Sequence, residues 1–555
     1  MVWRLEDPQG NESGKIVWEL PRWTRGRVLD IGCGPSKAFP HFIGIDNCID
    51  TKLFGIQMKP DIWIEDACDL RLFGTAAYDA VYSSHTLEHI APERVEGCLR
   101  EWWRVLKVGG FLVLYLPHED LYPKCGEPGA NPDHKWNVNE ERLLAYMRKV
   151  GSWDCRVLEQ RNEGYEYSLF SVFEKLAEPE RTESAVAAFE WRYSHQLPKP
   201  KKTAAVVRYG AYGDILQASS VFAGLKAAGY HVTVFCSPPG CEVIQHDPNI
   251  DDFYYQDVDQ VPNQHLGLFW EYQSKKFDKW VQLSESAEGT LLPIPGRFLY
   301  AAPPKVRHKM CDHNYLEFQH MCAGLPHVPR VNFFPTLAEV KWAQAQRAVM
   351  GKFVLVWALA GSSVHKVWPY IDTIFTRALI QFPDVHIVMV GGPAGVIIEQ
   401  GWFKAREDGQ PVRDEAGFKV KTDPRVWPMS GQWGIRQTLA FVQQADLIAG
   451  PETGVLNAVA NAKMPKVVLL SHSTVENLTR DWVNTHSITA PNVTCPGRGN
   501  NEAPACHRLH YTWEHCRQAD DDETGQPMGI AQCQKQISAD DVWNVIEPII
   551  REKLG

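Results

Sequence analysis

Repeatedly along the chain a short apolar run breaks at a glycine-bearing turn, and three of these stand out: "RVLDIGCGPSK" from Arg27, "AAVVRYGAYGDILQ" from Ala204 and "ADLIAGPETGVLN" from Ala445. An apolar run that stops at a glycine turn and is followed by amphipathic sequence is the pattern of a parallel strand and its crossover. That pattern restricts the chain to layered α/β folds, with Rossmann-like sheets covered by helices. At 555 residues it is too long for one core, and two to four domains are expected.

Residues 1–175 alternate apolar runs ("RVLDIG", "AVYSSH", "FLVLYLP") with amphipathic stretches and read as one parallel α/β domain. Residues 176–202 read as a polar connecting helix, then "QLPKPKK" from Gln196 to Lys202. The prolines there oppose helix and the lysines keep the segment solvated. Beyond it the rhythm restarts with "AAVVRY", "HVTVFC", "KWVQLS", "FVLVWAL", "VHIVMVGG", "DLIAG" and "KVVLLS". The segment around residues 331–352 divides these runs into two lobes, 203–340 and 341–555, with a cleft expected between them. A final helix is expected from Ser538 as cap, with Val542, Val545, Ile546 and Ile549 on one face.

Composition narrows the setting. With 44% hydrophobic and 22% charged residues the chain reads as globular, and no apolar run reaches the roughly 18 residues of a membrane span. Peripheral membrane contact is left open. The opening "MVWRLEDPQGNESGK" lacks the basic and apolar regions of a signal peptide. The 14 cysteines then read as reduced thiols, and a cytoplasmic setting is expected. A net charge of −10 disfavours strong nonspecific binding to nucleic acid, although a local basic groove is compatible with it.

In the first domain Asp30, Gly32 and Gly34 sit in the first glycine turn, where glycine lets backbone approach a ligand. "FIGIDN" ends a second strand at Asp46, and "EDACDL" follows with Asp66. "YDAVYSSHTLEHI" and "REWWRVLKVGGFLVLYLP" follow in order. This series, over roughly residues 20–150, resembles the class I S-adenosylmethionine-dependent methyltransferases. The resemblance implies that Asp30, Gly32 and Gly34 carry the S-adenosylmethionine, Asp46 its ribose, and that Asp66 meets the adenine. One departure is the short interval between Gly34 and Ile43, which leaves little room for the usual first helix. His85 would be the base for a hydroxyl acceptor; alternatively His85 and His89 cap and cover the next helix. His118 and His134 fall near the same strand edge.

The second glycine turn, Gly210-Ala211-Tyr212-Gly213-Asp214, raises a question: it puts a carboxylate where helix dipoles gather anions. One answer is a helix cap, typically worth about 0.3–1 kcal/mol. The other is a general base facing a cleft, on a helix whose buried face carries Ile215, Ala218, Phe222 and Leu225. Two distant segments favour the second. "WALAGSSVHKVWPY" sets Ser362, Ser363 and Lys366 after a buried strand, where Lys suits phosphate as a point charge. "ADLIAGPETGVLN" sets Glu452, Thr453 and Gly454 in another strand–turn–helix, with Glu452 placed for sugar hydroxyls.

Together with "GQWGIRQTLAFVQQADLIAG", these segments resemble glycosyltransferase family 9, the heptosyltransferase type with a GT-B fold, from residue 203 to about 550. The resemblance implies an inverting, metal-independent transfer from a nucleotide sugar. Asp214 would be the base, with Lys366, Thr453 and Gly454 on the diphosphate and Ser362, Ser363 and Glu452 lining the donor site. Glu452 stands where the family usually has Asp, with Pro451 before it, so an ADP-linked heptose need not be the donor.

Cys495, Cys506, Cys516 and Cys533 share a tail with His507, His510 and His515, at wider spacing than structural zinc sites use. Loosely placed thiols are expected, with no metal. The whole chain is thus expected to be a bifunctional glycan-modifying enzyme of surface-glycan biosynthesis. Its partners would be S-adenosylmethionine, a nucleotide sugar and a glycan acceptor. Two alternatives remain: a transferase acting on a hydroxymethylated nucleic-acid base, or a single glycosyltransferase whose first domain only recognises.

Overall fold

The computed structural model describes residues 12–47, 52–53, 56–57, 60–177, 202–257, 260–399, 423–490, 505–520 and 525–555. The expected connecting helix and most of the proline-lysine linker lie outside these residues, as does Cys495.

The chain divides into two compact units: Met1–Pro200 with Tyr255–Lys276, and Lys201–Tyr254 with Phe277–Gly555. In the first, strands β1 (Val28–Ile31), β2 (Ile43–Asp46), β3 (Ile62–Trp63), β4 (Tyr78–Ser84), β5 (Leu106–Pro117), β6 (Trp153–Arg161) and β7 (Ser168–Lys175) form one sheet. Their order is β3-β2-β1-β4-β5-β7-β6, with β7 antiparallel to both of its neighbours. Helix α1 (Pro92–Val105) buries Trp102 and Trp103 against this sheet. Between Gly34 and Ile43 the described chain forms turns and no helix. Lys37 holds that shortened loop, donating to the Pro40 and Phe42 carbonyls and pairing with Asp61 at 2.8 Å.

Residues of Tyr255–Lys276 belong to this first unit, although the sequence places them inside the lobe 203–340. Trp18 packs against His265 and Phe269, with ring centroids 6.2 and 6.4 Å away. Gln273 donates to the Trp18 carbonyl, and Tyr272 and Lys276 converge on Glu19.

The second unit contains two parallel sheets. Strands β8 (Thr203–Val207), β9 (His231–Cys236), β10 (Asp252–Tyr255) and β11 (Lys279–Gln282) are ordered β10-β9-β8-β11. Helix α2 (Tyr212–Ala227) follows β8 and buries Ile215, Ala218, Phe222 and Leu225. The other sheet comprises β12 (Phe353–Ala358), β13 (Val385–Val390), β14 (Val426–Pro428), β15 (Leu447–Pro451), β16 (Lys466–Leu470) and β17 (Thr485–Thr489). Its order, β14-β13-β12-β15-β16-β17 with parallel registers, is the doubly wound Rossmann arrangement. The central strands are apolar on both faces because helices cover both. The two sheets form the two lobes of this second unit.

Arg436 ties these lobes together. Its guanidinium pairs with Glu339 at 2.7–2.8 Å and donates to the carbonyls of Val243, Glu242 and Phe334. The last helix, α3 (Ala539–Leu554), is capped by Ser538, whose hydroxyl accepts from the Asp541 amide. It buries Val542 and Ile546 in the core of the second lobe, with Val545 and Ile549 half-buried beside them.

Candidate active sites

Within the second unit, Asp214 sits where β8 gives way to α2. The buried Arg208, last residue of the apolar run, reaches Asp214 Oδ1 at 2.8 Å. The Ala211 N–H donates to Oδ2 at 2.8 Å, so the carboxylate also caps its own helix. Gly210 has φ +101, and a Cβ there would lie 2.8 Å from Asp214 Oδ2. The tight turn and the carboxylate therefore require glycine at this position.

The third glycine turn comes directly against the second. A Cβ on Gly454 would stand 2.9 Å from the Gly213 nitrogen, and one on Gly213 would stand 3.4 Å from Gly454 Cα. Gln217 Nε2 donates to Asn457 Oδ1 at 3.2 Å across the same contact. The Asp214 loop and the Glu452–Gly454 turn thus share one wall-to-wall junction. The helix expected after Gly454 is a single turn, Gly454–Asn457. Beyond it the chain returns by turns, because "AVANAKMP" must reach β16 quickly and its proline stops any longer helix.

Glu452 is buried. Its Oε1 accepts from the Ser471 amide and hydroxyl and from the His472 amide and Nδ1, at 2.6–3.1 Å. Among the described residues its Oε2 has no hydrogen-bond partner, and neither have the buried hydroxyls of Thr453 and Ser363 or His365 Nε2. Burial opposes charge on Glu452, but His472 and Lys366 hold the carboxyl well below its ordinary range. Lys366 packs its stem over Gly361, where a Cβ would sit 2.4 Å from Lys366 Cδ. Ser363 is buried, whereas Ser362 faces solvent. Buried polar atoms without partners cost free energy, which a ligand with complementary groups relieves.

Arg208, His365, Ser471, His472 and Asn457 complete this site and escape sequence reasoning. His365 lies one residue from Lys366 in "SSVHKVW", and His472 ends the strand run "KVVLLSH". His365 Nδ1 meets the Ser471 hydroxyl at 2.7 Å, and the two imidazole centroids are 4.8 Å apart. In the tail, Cys506 Sγ lies 3.8 Å from His510 Nε2. Among the described residues no candidate ion-holding group includes Cys506, Cys516 or Cys533.

In the first unit the glycine turn folds back on its own strand ends. Asp30 is buried, and its Oδ2 accepts from the Ala38 amide at 3.1 Å. Asp46 Oδ2 accepts from the Gly34 amide at 3.0 Å. Gly32 has φ +70 and lies so close to Thr86 that a Cβ would meet its hydroxyl at 2.0 Å. Gly34, at φ +59, has nothing within 4 Å of where a Cβ would be, which leaves its backbone open to a ligand. Asp66, expected at the adenine, is engaged otherwise. It accepts from the Cys68 amide at 2.9 Å and pairs with Arg94. Burial raises its carboxyl, but these two partners prevail and lower it.

His85 does not cap the following helix. It is half-buried at φ +49 between Tyr115 and Tyr167, with Nε2 3.0 Å from the Ser168 hydroxyl. His118 belongs elsewhere, 2.9 Å from Glu140 Oε2. The family described as a methyltransferase domain matches residues 29–114.

That stretch takes in the glycine turn, Asp46, Asp66, His85 and helix α1. Among solved structures, a SAM-dependent methyltransferase from Archaeoglobus fulgidus is similar at 19% identity and TM-score 0.24, over 29% of this chain and 92% of that one. The ADP-heptose lps heptosyltransferase II of E. coli is similar at 11% identity and TM-score 0.42, over 64% of this chain and 100% of that one. A glycosyl transferase family 9 protein from Veillonella parvula is similar at 13% identity and TM-score 0.42, over 64% and 99%. No curated protein matches the chain. Among the described residues no helix is long and apolar enough to cross a membrane.

Proposed function

We propose that the second unit transfers a sugar from a nucleotide sugar to an acceptor hydroxyl, with inversion, and that the first methylates a glycan hydroxyl from S-adenosylmethionine. The observation that carries the first part is the junction of the two glycine turns. It sets the Asp214 loop of one lobe against the Glu452–Gly454 turn of the other, whose Thr453 hydroxyl is buried without a partner among the described residues.

In this reading Asp214 removes the proton from the acceptor hydroxyl as that oxygen attacks the anomeric carbon. The bond to the nucleoside diphosphate breaks on the opposite face. Arg208 holds the carboxylate in place, and each oxygen keeps a lone pair for the incoming proton. Lys366 and the hydroxyls of Ser363 and Thr453 take up the charge developing on the departing diphosphate, by electrostatic stabilisation and positioning. Glu452 keeps Oε2 for a sugar hydroxyl, its other oxygen being saturated. Nothing in this step calls for a metal.

The open backbone at Gly34 and the adjacent Asp46 fit S-adenosylmethionine, with Asp30 bracing the turn from below. When bound, that molecule supplies an electrophilic methyl group. Two activities on one glycan, such as a surface polysaccharide, would account for their union in one chain.

Incubation of the full chain with a panel of nucleotide sugars, read as nucleoside diphosphate release, tests the transfer. Asp214→Ala is expected to lower kcat by at least about 100-fold, the scale of a lost general base. Undiminished release by that variant removes Asp214 from the mechanism. Titration with S-adenosylmethionine by calorimetry tests the first unit, and absence of binding leaves it a recognition module.

A further inference from the structure

Below the strand end that carries His85, the loop "HTLEH" places Glu88 at the centre of three imidazoles. Glu88 is fully buried, and among the described residues neither of its carboxylate oxygens has a hydrogen-bond partner. His85 Nδ1, His134 Nε2 and His89 Nε2 lie 3.6, 3.8 and 3.9 Å from Glu88 Oε1. His134 is brought in from 46 positions along the chain by two bonds of its neighbours: the Lys135 amide donates to the Glu88 carbonyl at 2.8 Å and Trp136 Nε1 to the Leu87 carbonyl at 3.1 Å.

These separations decide the matter. They are too long for hydrogen bonds, which end near about 3.2 Å for N–H···O. They are too short for a water bridging the pair, which needs two such bonds. Donor atoms around one ion with bonds of roughly 2.0–2.2 Å stand about 3.3–3.6 Å apart at tetrahedral angles, close to what is seen here. A buried carboxylate with no donor is costly, whereas a carboxylate on a cation is not. Oxygen and imidazole nitrogen suit borderline divalent ions of the zinc class.

We propose that Glu88, His89 and His134 form a binding site for a divalent transition-metal ion, with a fourth position left open on the side of His85. His85, held by the Ser168 hydroxyl at 3.0 Å, stands beside that open position. Thr86 of the same loop packs on Gly32, so the site stands one loop away from the glycine turn. An acceptor hydroxyl held on the ion would be acidified there for methyl transfer. That use rests on the methyltransferase reading; the binding of the ion does not.

The test uses the untagged full chain, stripped with a chelator and dialysed against Zn2+ or Co2+. Metal content is read by mass spectrometry and Co2+ coordination by visible absorption. The expected result is one bound equivalent that falls to background, or weakens by at least about tenfold, in Glu88→Gln and in His134→Gln. Glu452→Gln, in the other unit, retains it. If Glu88→Gln does not fold, as judged by circular dichroism, the half-exposed His89→Gln carries the test alone. A wild-type chain that holds no ion, or substituted chains that hold as much as wild type, overturns the proposal.

Discussion

At Gly454 the missing side chain is what lets two turns from different lobes touch. Gly454→Ala would drive a Cβ into the Gly213 nitrogen, which is backbone and moves only with its helix. We expect a stability loss of about 1–3 kcal/mol, as for other overpacked contacts, and at least a tenfold fall in kcat/KM for nucleoside diphosphate release. Thermal melts and steady-state kinetics on the variant check both. Asp30 supplies a pH prediction. Burial pushes its carboxyl from an ordinary 3.8 up to about 7, against the pull of the Ala38 amide and Lys37. Between these values the folded chain keeps a proton that the unfolded chain has released. Stability therefore falls as pH rises through this window and levels off above about 7. Asp30→Asn is expected to abolish the fall, which amounts to at most about 4 kcal/mol. Denaturant titrations on either side of the window would show it.

Among the elements, legibility follows burial. Strands β8, β12, β13, β15 and β16 are almost wholly apolar because helices cover both faces of their sheets, and they can be read directly. Strand β14 is three residues ending in proline, and β17, "THSIT", is half-buried; both lie at sheet edges, where the apolar signal fades. The candidate sites divide the same way. Asp214, Lys366, Gly32 and Gly454 announce themselves by position in a glycine turn or after a strand. Arg208, His472 and Glu88 do not, since their importance comes from partners distant in sequence. Trp368 illustrates an element held by one such partner. Its ring stacks on Trp357 with centroids 5.5 Å apart, and its Nε1 donates to the Ile537 carbonyl at 2.9 Å, just before the last helix. Trp368→Phe keeps the stack but leaves that carbonyl bare. A loss of about 1 kcal/mol is expected, measured by chemical denaturation, with greater exchange of α3 amides.

For the molecule as a whole, chain order and spatial order part company once. Residues of Tyr255–Lys276 leave the fold being built around them and finish the first unit instead, covering Trp18 and pairing with Glu19. No periodicity in the sequence marks this excursion, because the segment's apolar residues look like those of any lobe helix. The expected outcome of expressing residues 1–200 by themselves is aggregation, with tryptophan emission red-shifted as buried rings, Trp18 among them, meet water. Sedimentation and emission spectra would report it.

The excursion also governs how the protein can be taken apart. A cut between the two halves yields a front piece missing part of its own interior, so the halves cannot be traded between chains like beads on a string. A synthetic peptide spanning the borrowed stretch, added in trans, should restore solubility to the front piece and make the split protein a two-component reporter.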